Sequence, residues 1–379
     1  MSLTGETADA VAETVHARGP QNDDALPTTV PTRPPFRVGR VSLVRRTSMV
    51  VITLALVAAA FVLLCVNIGR GEFSIPVTSV ADILFGGGTK VERFIVMDLR
   101  LPRGLTALLT GIALGISGAI TQSVLRNPLA SPDLLGITAG ASAAAVSLIV
   151  VAGGGTFVGT LATLGIPFAA LAGGIVTAVM IYALAWRGGV QGYRIVLIGI
   201  GANAMLIAAI QWMLISADIN DVARAQVWLN GSLNGSDWAQ VWPVAIGVAV
   251  VGTLALVSSF TLGALRLGDD NARALGVRLQ AGQAVLLLAA VALAAIATAA
   301  VGPIGFVALA APQVAMRVLR TPGPPILASG LVGAVLVLGS DVIGRTVLPV
   351  ELPVGIVTSA LGGPFLIYLL VRNNRKVSA

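Results

Sequence analysis

The sequence predicts an all-α, polytopic membrane protein of about ten transmembrane helices, with both termini on the cytoplasmic side. Three observations predict it. Of 379 residues, 56% are hydrophobic and only 11% charged, where soluble domains carry roughly a quarter. Apolar stretches of about 18 residues or more recur along the whole chain, each long enough to cross a hydrocarbon core of roughly 30 Å. The 44 glycines suit helices in lipid, where small residues let backbones approach closely.

Residues 1–42 are polar, contain prolines and lack large apolar side chains, so they read as a disordered cytoplasmic N-terminal extension. They do not read as a signal peptide, because no small-residue cleavage site closely follows the next apolar stretch. A ten-helix transmembrane domain follows at 43–372, and 373–379 reads as a short cytoplasmic tail. Arg37, Arg40, Arg45 and Arg46 precede the first span and hold the N-terminus inside. The expected spans are 48–67, 104–125, 134–152, 157–186, 195–215, 241–265, 281–300, 304–319, 325–341 and 353–371. The fourth is long enough to tilt, and the short eighth contains Pro312.

Charge tests this order independently. From Arg37 onward the cytoplasmic segments carry fifteen Lys/Arg against three acids, and the external ones, with Asp341 at a span edge, carry seven against nine. That asymmetry is the positive-inside pattern. An echo between "LASPDLLGITAGAS" at 129–142 and "ELPVGIVTSALGG" at 351–363 suggests an inverted five-helix pseudo-repeat, since the first lies inside and the second outside.

Several chemistries lack their residues. The one cysteine, Cys65, has no internal disulfide partner and reads as a small hydrophobe. The one histidine, His16, lies in the N-terminal extension, so no histidine-based metal site or Ser/His triad is expected. "GGGTK" at 86–90 lacks the spacing of a phosphate loop. The net charge of +7 sits at the ends of apolar segments, which orients a membrane protein rather than binding nucleic acid. Apart from Asp341 the spans hold almost no ionisable residue, so a proton-driven carrier lacks its relay. The energy source for any transport is expected outside this chain.

Four stretches remain. "DLRLPRG", 98–104, puts Arg100 and Arg103 three apart on one face if helical; they serve either as interfacial anchors or as docking points for an acidic external partner. In "RNPLASPDLLGITAGA", 126–141, Pro128 and Pro132 disfavour helix before them, Asn127 and Ser131 are placed to cap the next helix, and Asp133 suits its N-terminal dipole. Gly111, Gly115 and Gly118 make a small-residue ridge leading to Gln122 and this hinge. "LGDDNARALGV", 267–277, has Leu267, Ala272, Leu275 and Val277 on an apolar side and Asp269, Asp270 and Arg273 on a polar one; it is a solvated loop, a membrane-surface element or a knob for a cytosolic partner. "GPIGFVALAAPQVAMR", 302–317, and "SDVIGRTVLPVELPVG", 340–355, bring Arg345 to the outer side, where it can join Arg100 and Arg103. Trp228 and Trp238 read as interface-belt residues.

These residues resemble the permease subunits of type II ABC importers for iron–siderophore complexes, haem and vitamin B12. The resemblance rests on "RLPR", "GIALGISGAITQSVLRNPLASPDLLGITAGA", "LGDDNARALGV", "GPIGFVALAAP" and "ELPVGIVTSALGGPF", in order over about residues 50–372. "AWRGGVQGYRIVLIGIGAN" and "GSLNGSDW" look most like the ferric enterobactin-type members. The resemblance implies a subunit of the bacterial cytoplasmic membrane that moves iron–siderophore complexes inward and is not itself an enzyme. Its implied partners are a second permease subunit, homologous or identical, two cytosolic ATPases and an external siderophore-binding protein. It implies no cofactor on this chain: ATP and magnesium belong to the ATPase, and iron travels within the substrate. It also gives roles to residues. Arg100, Arg103 and Arg345 would receive the binding protein. Leu267, Gly268, Asp269, Asp270, Ala272, Arg273, Ala274, Leu275, Gly276 and Val277 would couple to the ATPase. Gln122, Asn127, Pro128, Pro132, Gly136, Pro312 and Gln313 would line or gate the pathway. Where the family usually has "APH", this chain has Gln313, which hydrogen-bonds but does not titrate. A vitamin B12 or haem importer, and more distantly a secondary transporter, are the alternatives.

Overall fold

The computed structural model describes residues 36–38, 41–43, 47–70, 75–153, 160–187, 191–347 and 350–377. Two units divide the chain, Met1–Val50 and Val51–Ala379. In the first, Phe36–Val38 and Val41–Leu43 pair as two short antiparallel strands. Six residues at the end of the expected N-terminal extension or at its boundary are thus described as strand. Residues 1–35 lie outside the described residues.

All other described elements are helical. α1 (Thr47–Gly69) is followed by α2 (Val77–Leu84) and by α3 (Lys90–Phe94), which runs through a π-helical turn, Ile95–Arg100, into α4 (Leu101–Val124). Then come α5 (Ile137–Gly153), α6 (Thr160–Ala185), α7 (Gly192–Ile215) and α8 (Ile219–Leu229). α9 (Trp238–Gly247) passes through a second π-helical turn into α10 (Thr253–Val257), followed by α11 (Ser259–Arg266) and α12 (Asp269–Ala274). α13 (Leu279–Val301), α14 (Val307–Leu319), α15 (Ile326–Thr346) and α16 (Val354–Val377) complete the chain.

Among the described residues, seven helical stretches are long and apolar enough to cross a membrane, and shorter apolar helices occupy Ile137–Val151, Val307–Leu319 and Val354–Tyr368. Together they fall on the ten expected spans. The differences lie at the ends. The sixth span stops at Val257, and a turn at Ser258 separates it from α11. The eighth starts only after Phe306, which takes a left-handed conformation (φ 66°). α16 continues to Val377, through most of the expected tail.

α4 is the central helix, because its glycine ridge admits backbone on two sides. A Cβ on Gly111 would lie 2.5 Å from the Gly333 carbonyl oxygen, and one on Gly115 would lie 2.1 Å from that of Ser329, so α15 seats here. At Gly118 the same atom would fall 1.7 Å from the Ala308 carbonyl of α14. That carbonyl is free to approach because Pro312, four residues on, has no N–H to give it. Replacing Gly118 with Val is expected to cost more than ~3 kcal/mol, since no rotamer relieves a clash with backbone. Membrane-inserted protein should fall several-fold in an immunoblot, whereas Gly339→Ala, with open space around it, should leave the level unchanged.

Helix packing repeats between the two halves. α4 packs on α15 as α13 packs on α6; α5 on α6 as α14 on α15; α5 on α7 as α14 on α16; and α4 meets α13 directly. This is the pattern of an inverted repeat of four helices, spans two to five against seven to ten. The sequence echo pairs the wrong positions, because the third span matches the eighth and not the tenth. The equivalent turns are 125–136 and 302–306, and both hold left-handed residues: Arg126 and Gly136 in one, Gly302 and Phe306 in the other.

Candidate functional site

The expected site residues gather at the two ends of α4, about 36 Å apart at 1.5 Å per residue. At the N-terminal end Asp341 of α15 is the hub. Its side chain is 2% exposed and receives Arg103 Nη2 at 2.8 Å and Arg345 Nη2 at 3.1 Å. Asn67 Nδ2 donates to it at 2.7 Å. Arg103 also reaches Asn234 Oδ1 at 3.0 Å and Glu351 Oε1 at 2.7 Å. Arg100 donates to the Ile68 carbonyl at 3.0 Å, and Arg345 to that of Asn67 at 3.2 Å. The two arginines thereby satisfy carbonyls left open at the end of α1, where positive charge suits the helix dipole.

The three predicted docking arginines are therefore brought together, as Arg100 and Arg103 with Arg345, but they are not three free cations on a rim. Arg100 is buried, and the Arg103 and Arg345 side chains are only 14% and 13% exposed. The exposed members of the cluster are Glu351, at 42%, and Asn234. Sequence reasoning missed Asn67, Asn234 and Glu351 as partners. Asp341 carried a signal, as the acid at a span edge.

At the other end of α4, Gln313 Nε2 of α14 donates to Gln122 Oε1 at 2.7 Å and to the Pro128 carbonyl at 3.2 Å, while Gln122 Nε2 donates to the Leu309 carbonyl at 3.0 Å. These buried amides fasten the hinge to α14. Each amide of this pair is both donor and acceptor, which a titrating side chain need not be. Asn127 and Pro128 join Gln122, Gln313, Arg126 and Arg266 around a cavity of about 260 Å³. Pro132 and Gly136 lie elsewhere in the hinge; Gly136 (φ 76°) passes against Asn203 and Gly199 of α7. Pro312 is buried within α14.

The capping expectation is corrected. α5 begins only at Ile137, so the Asn127 and Ser131 side chains accept from the Leu129 and Leu134 amides and close turns inside the hinge. Asp133 is half-buried and accepts from the Thr138 hydroxyl at 2.5 Å. Burial outweighs that bond and pushes its carboxyl up to about 6. A raised pKa means the protonated form favours the fold: its stabilisation is complete below the unfolded pKa of about 3.9 and is lost as pH rises through about 6. The wild-type melting temperature should therefore rise relative to Asp133→Asn as pH is lowered from 7 to 5; parallel curves would refute this.

Gly268 (φ 102°) and Gly276 (φ 79°) bracket α12 and set it off from its neighbours. Ala272 is buried, whereas Leu267 and Leu275 are exposed beside Asp270 and Arg273. The expected apolar side is thus divided: Ala272 and half-buried Val277 face the protein, and two leucines face outward. Arg126, itself left-handed, pairs with Asp269 and donates from Nε to the Leu265 carbonyl at 3.0 Å. Arg266 donates to Ser123 Oγ at 2.8 Å and to the Pro324 carbonyl. α12 is thereby tied to the end of α4. Among the described residues, no group of three or more His, Cys, Asp or Glu could hold a metal.

Among the described residues, ten apolar helices, the glycine-faced α4 at their centre, with a charged cluster at one end and a knob at the other, define a multi-pass membrane transport protein. Residues 55–372 match the model of the FecCD transport family, and the chain belongs to that family. The ferric enterobactin transport system permease protein FepG of Escherichia coli (strain K12) is 39% identical over 331 residues, covering 86% of this chain and 98% of the relative. The iron(3+)-hydroxamate import system permease protein FhuG of Bacillus subtilis (strain 168) is 38% identical over 328 residues, 85% of this chain and 98% of the relative. The achromobactin transport system permease protein CbrC of Dickeya dadantii (strain 3937) is 39% identical over 338 residues, 88% and 92%. A metal-chelate type ABC transporter solved in an inward-facing conformation shares the fold, with a TM-score of 0.72 at 24% identity over 85% of this chain and 99% of its own.

Proposed function

We propose that the chain is the permease subunit of an ABC importer that carries iron(III)–siderophore complexes across the bacterial cytoplasmic membrane into the cell. The observation that carries this reading is similarity, over nearly their whole length, to permeases of the ferric enterobactin, iron(3+)-hydroxamate and achromobactin transport systems. Both termini and the 267–277 knob lie on the cytoplasmic side, as the arginine distribution supports. The chain performs no catalysis and binds no cofactor. Two cytosolic ATPases supply the energy, an external siderophore-binding protein delivers the cargo, and a second permease, identical or homologous, completes the pathway.

The two ends of α4 divide the work. The Arg103–Asp341–Glu351 cluster receives an acidic surface outside, and the exposed Leu267 and Leu275 of the knob enter a groove of the ATPase inside. Movement there reaches the Gln122–Gln313 hinge through Arg126. Deleting this gene in its own host is expected to abolish uptake of an iron-loaded catecholate siderophore and to spare uptake of haem and vitamin B12. Loss of haem or vitamin B12 uptake alone, or of none of the three, overturns the substrate assignment.

A further inference from the structure

We propose that Glu351 is an internal stand-in for a partner's carboxylate: it occupies Arg103 until an acidic side chain of an external protein displaces it. This rests on the docking reading above and adds to it a competitor within the chain.

Arg103 carries two carboxylates of opposite character. Asp341 is buried and held by Arg103, Arg345 and Asn67 at once, so nothing from outside can replace it. Glu351 binds the same Nη2 at 2.7 Å but is 42% exposed. Water competes for such a half-exposed pair, so it is held weakly and exchanges readily. The cluster holds three cations, Arg100, Arg103 and Arg345, against these two acids. Its surplus positive charge favours an incoming anion, and removal of Glu351 from Arg103 enlarges it. An acidic protein surface meets both conditions, and guanidinium takes carboxylate in a geometry that ammonium does not match.

The position of Glu351 gives the exchange a consequence. It stands three residues before α16, next to Leu352, whose amide donates to the Gly344 carbonyl at 3.0 Å, while Gly355 donates to that of Gly231 at 3.0 Å. Displacing Glu351 removes the side-chain tie between Arg103 and the segment that leads into the tenth span, while these two backbone bonds still hold that segment in place.

The test uses the full chain in nanodiscs of zwitterionic lipid, with a fluorescent hexaglutamate peptide as probe and hexalysine as control, at low salt. Glu351→Gln is expected to bind hexaglutamate about tenfold more tightly than wild type, within the usual range of site coupling. Arg103→Gln is expected to weaken binding and, in the double variant, to remove the gain. Glu351→Ala must shift binding in the same direction as Glu351→Gln, with thermal melts confirming that each variant is folded. If Arg103→Gln weakens binding but neither Glu351 variant strengthens it, the exchange is overturned and the docking reading stands. If Arg103→Gln changes nothing, or no variant binds the peptide, both fall.

Discussion

Asp341→Asn is expected to destabilise the protein by about 3–5 kcal/mol, the usual cost of removing one partner from a buried ion pair. The carboxylate is 2% exposed and faces two guanidiniums, each largely buried. Asparagine keeps a hydrogen bond to Asn67 but leaves Arg345 without its acid, and of its two carboxylates Arg103 keeps only the half-exposed Glu351. The loss should appear as a lowered melting temperature in detergent and reduced membrane accumulation. Asp270→Asn is the control: Asp270 is 98% exposed in its pair with Arg273, and water already screens it, so no change in melting is expected. Equal melting temperatures for wild type and Asp341→Asn would show that the hub holds nothing together.

Arg126→Gln is expected to separate two properties that a purely structural residue would lose together. The Arg126–Asp269 pair is 41% and 45% exposed, so its loss should cost at most about 1 kcal/mol of stability. Yet it joins α12 to the hinge just beyond the end of α4, beside the cavity that Gln122 and Gln313 also line. If ATPase movement passes this way, uptake in the assembled importer should fall by about 5-fold to 150-fold, the range of typical coupling free energies. ATP hydrolysis by the complex should meanwhile stay within about twofold of wild type. Uptake and hydrolysis measured on the same membranes decide it. Parallel loss of both, or of neither, contradicts a transmitting role.

The spans were legible because lipid imposes length and apolarity on every crossing helix, and little else in the chain satisfies both. Their ends were less legible. Ser258 breaks a hydrophobic run for reasons of local backbone, and Phe306 takes a left-handed conformation that its side chain does not announce. The outer cluster was half-legible. Three arginines and the span-edge Asp341 stood out as charges, but Asn67 and Asn234 are neutral residues far apart in sequence and gave no sign. The i, i+3 spacing also assumed a regular helix facing outward. The π-helical turn Ile95–Arg100 adds about one residue to that turn, so side chains on either side fall out of α-helical phase. At the hinge, Gln122 and Gln313 were singled out separately; that they bond to each other across 191 residues follows from packing of α4 on α14, which no local pattern encodes. The pseudo-repeat shows the same limit. Two proline-containing stretches looked alike, yet equivalence is set by which helices pack, and that assigned them to different positions.

The central claim is that this chain passes a ferric siderophore inward on energy from ATP hydrolysed elsewhere. The most direct measurement is radio-iron uptake in spheroplasts supplied with iron-loaded catecholate siderophore and the extracted external proteins. Uptake is followed once after arsenate has depleted ATP, and once after a protonophore has collapsed the ion gradient with ATP intact. The account predicts that ATP depletion stops uptake and gradient collapse leaves it running. Uptake that survives ATP depletion and stops with the gradient would contradict it, and would make the chain a secondary carrier.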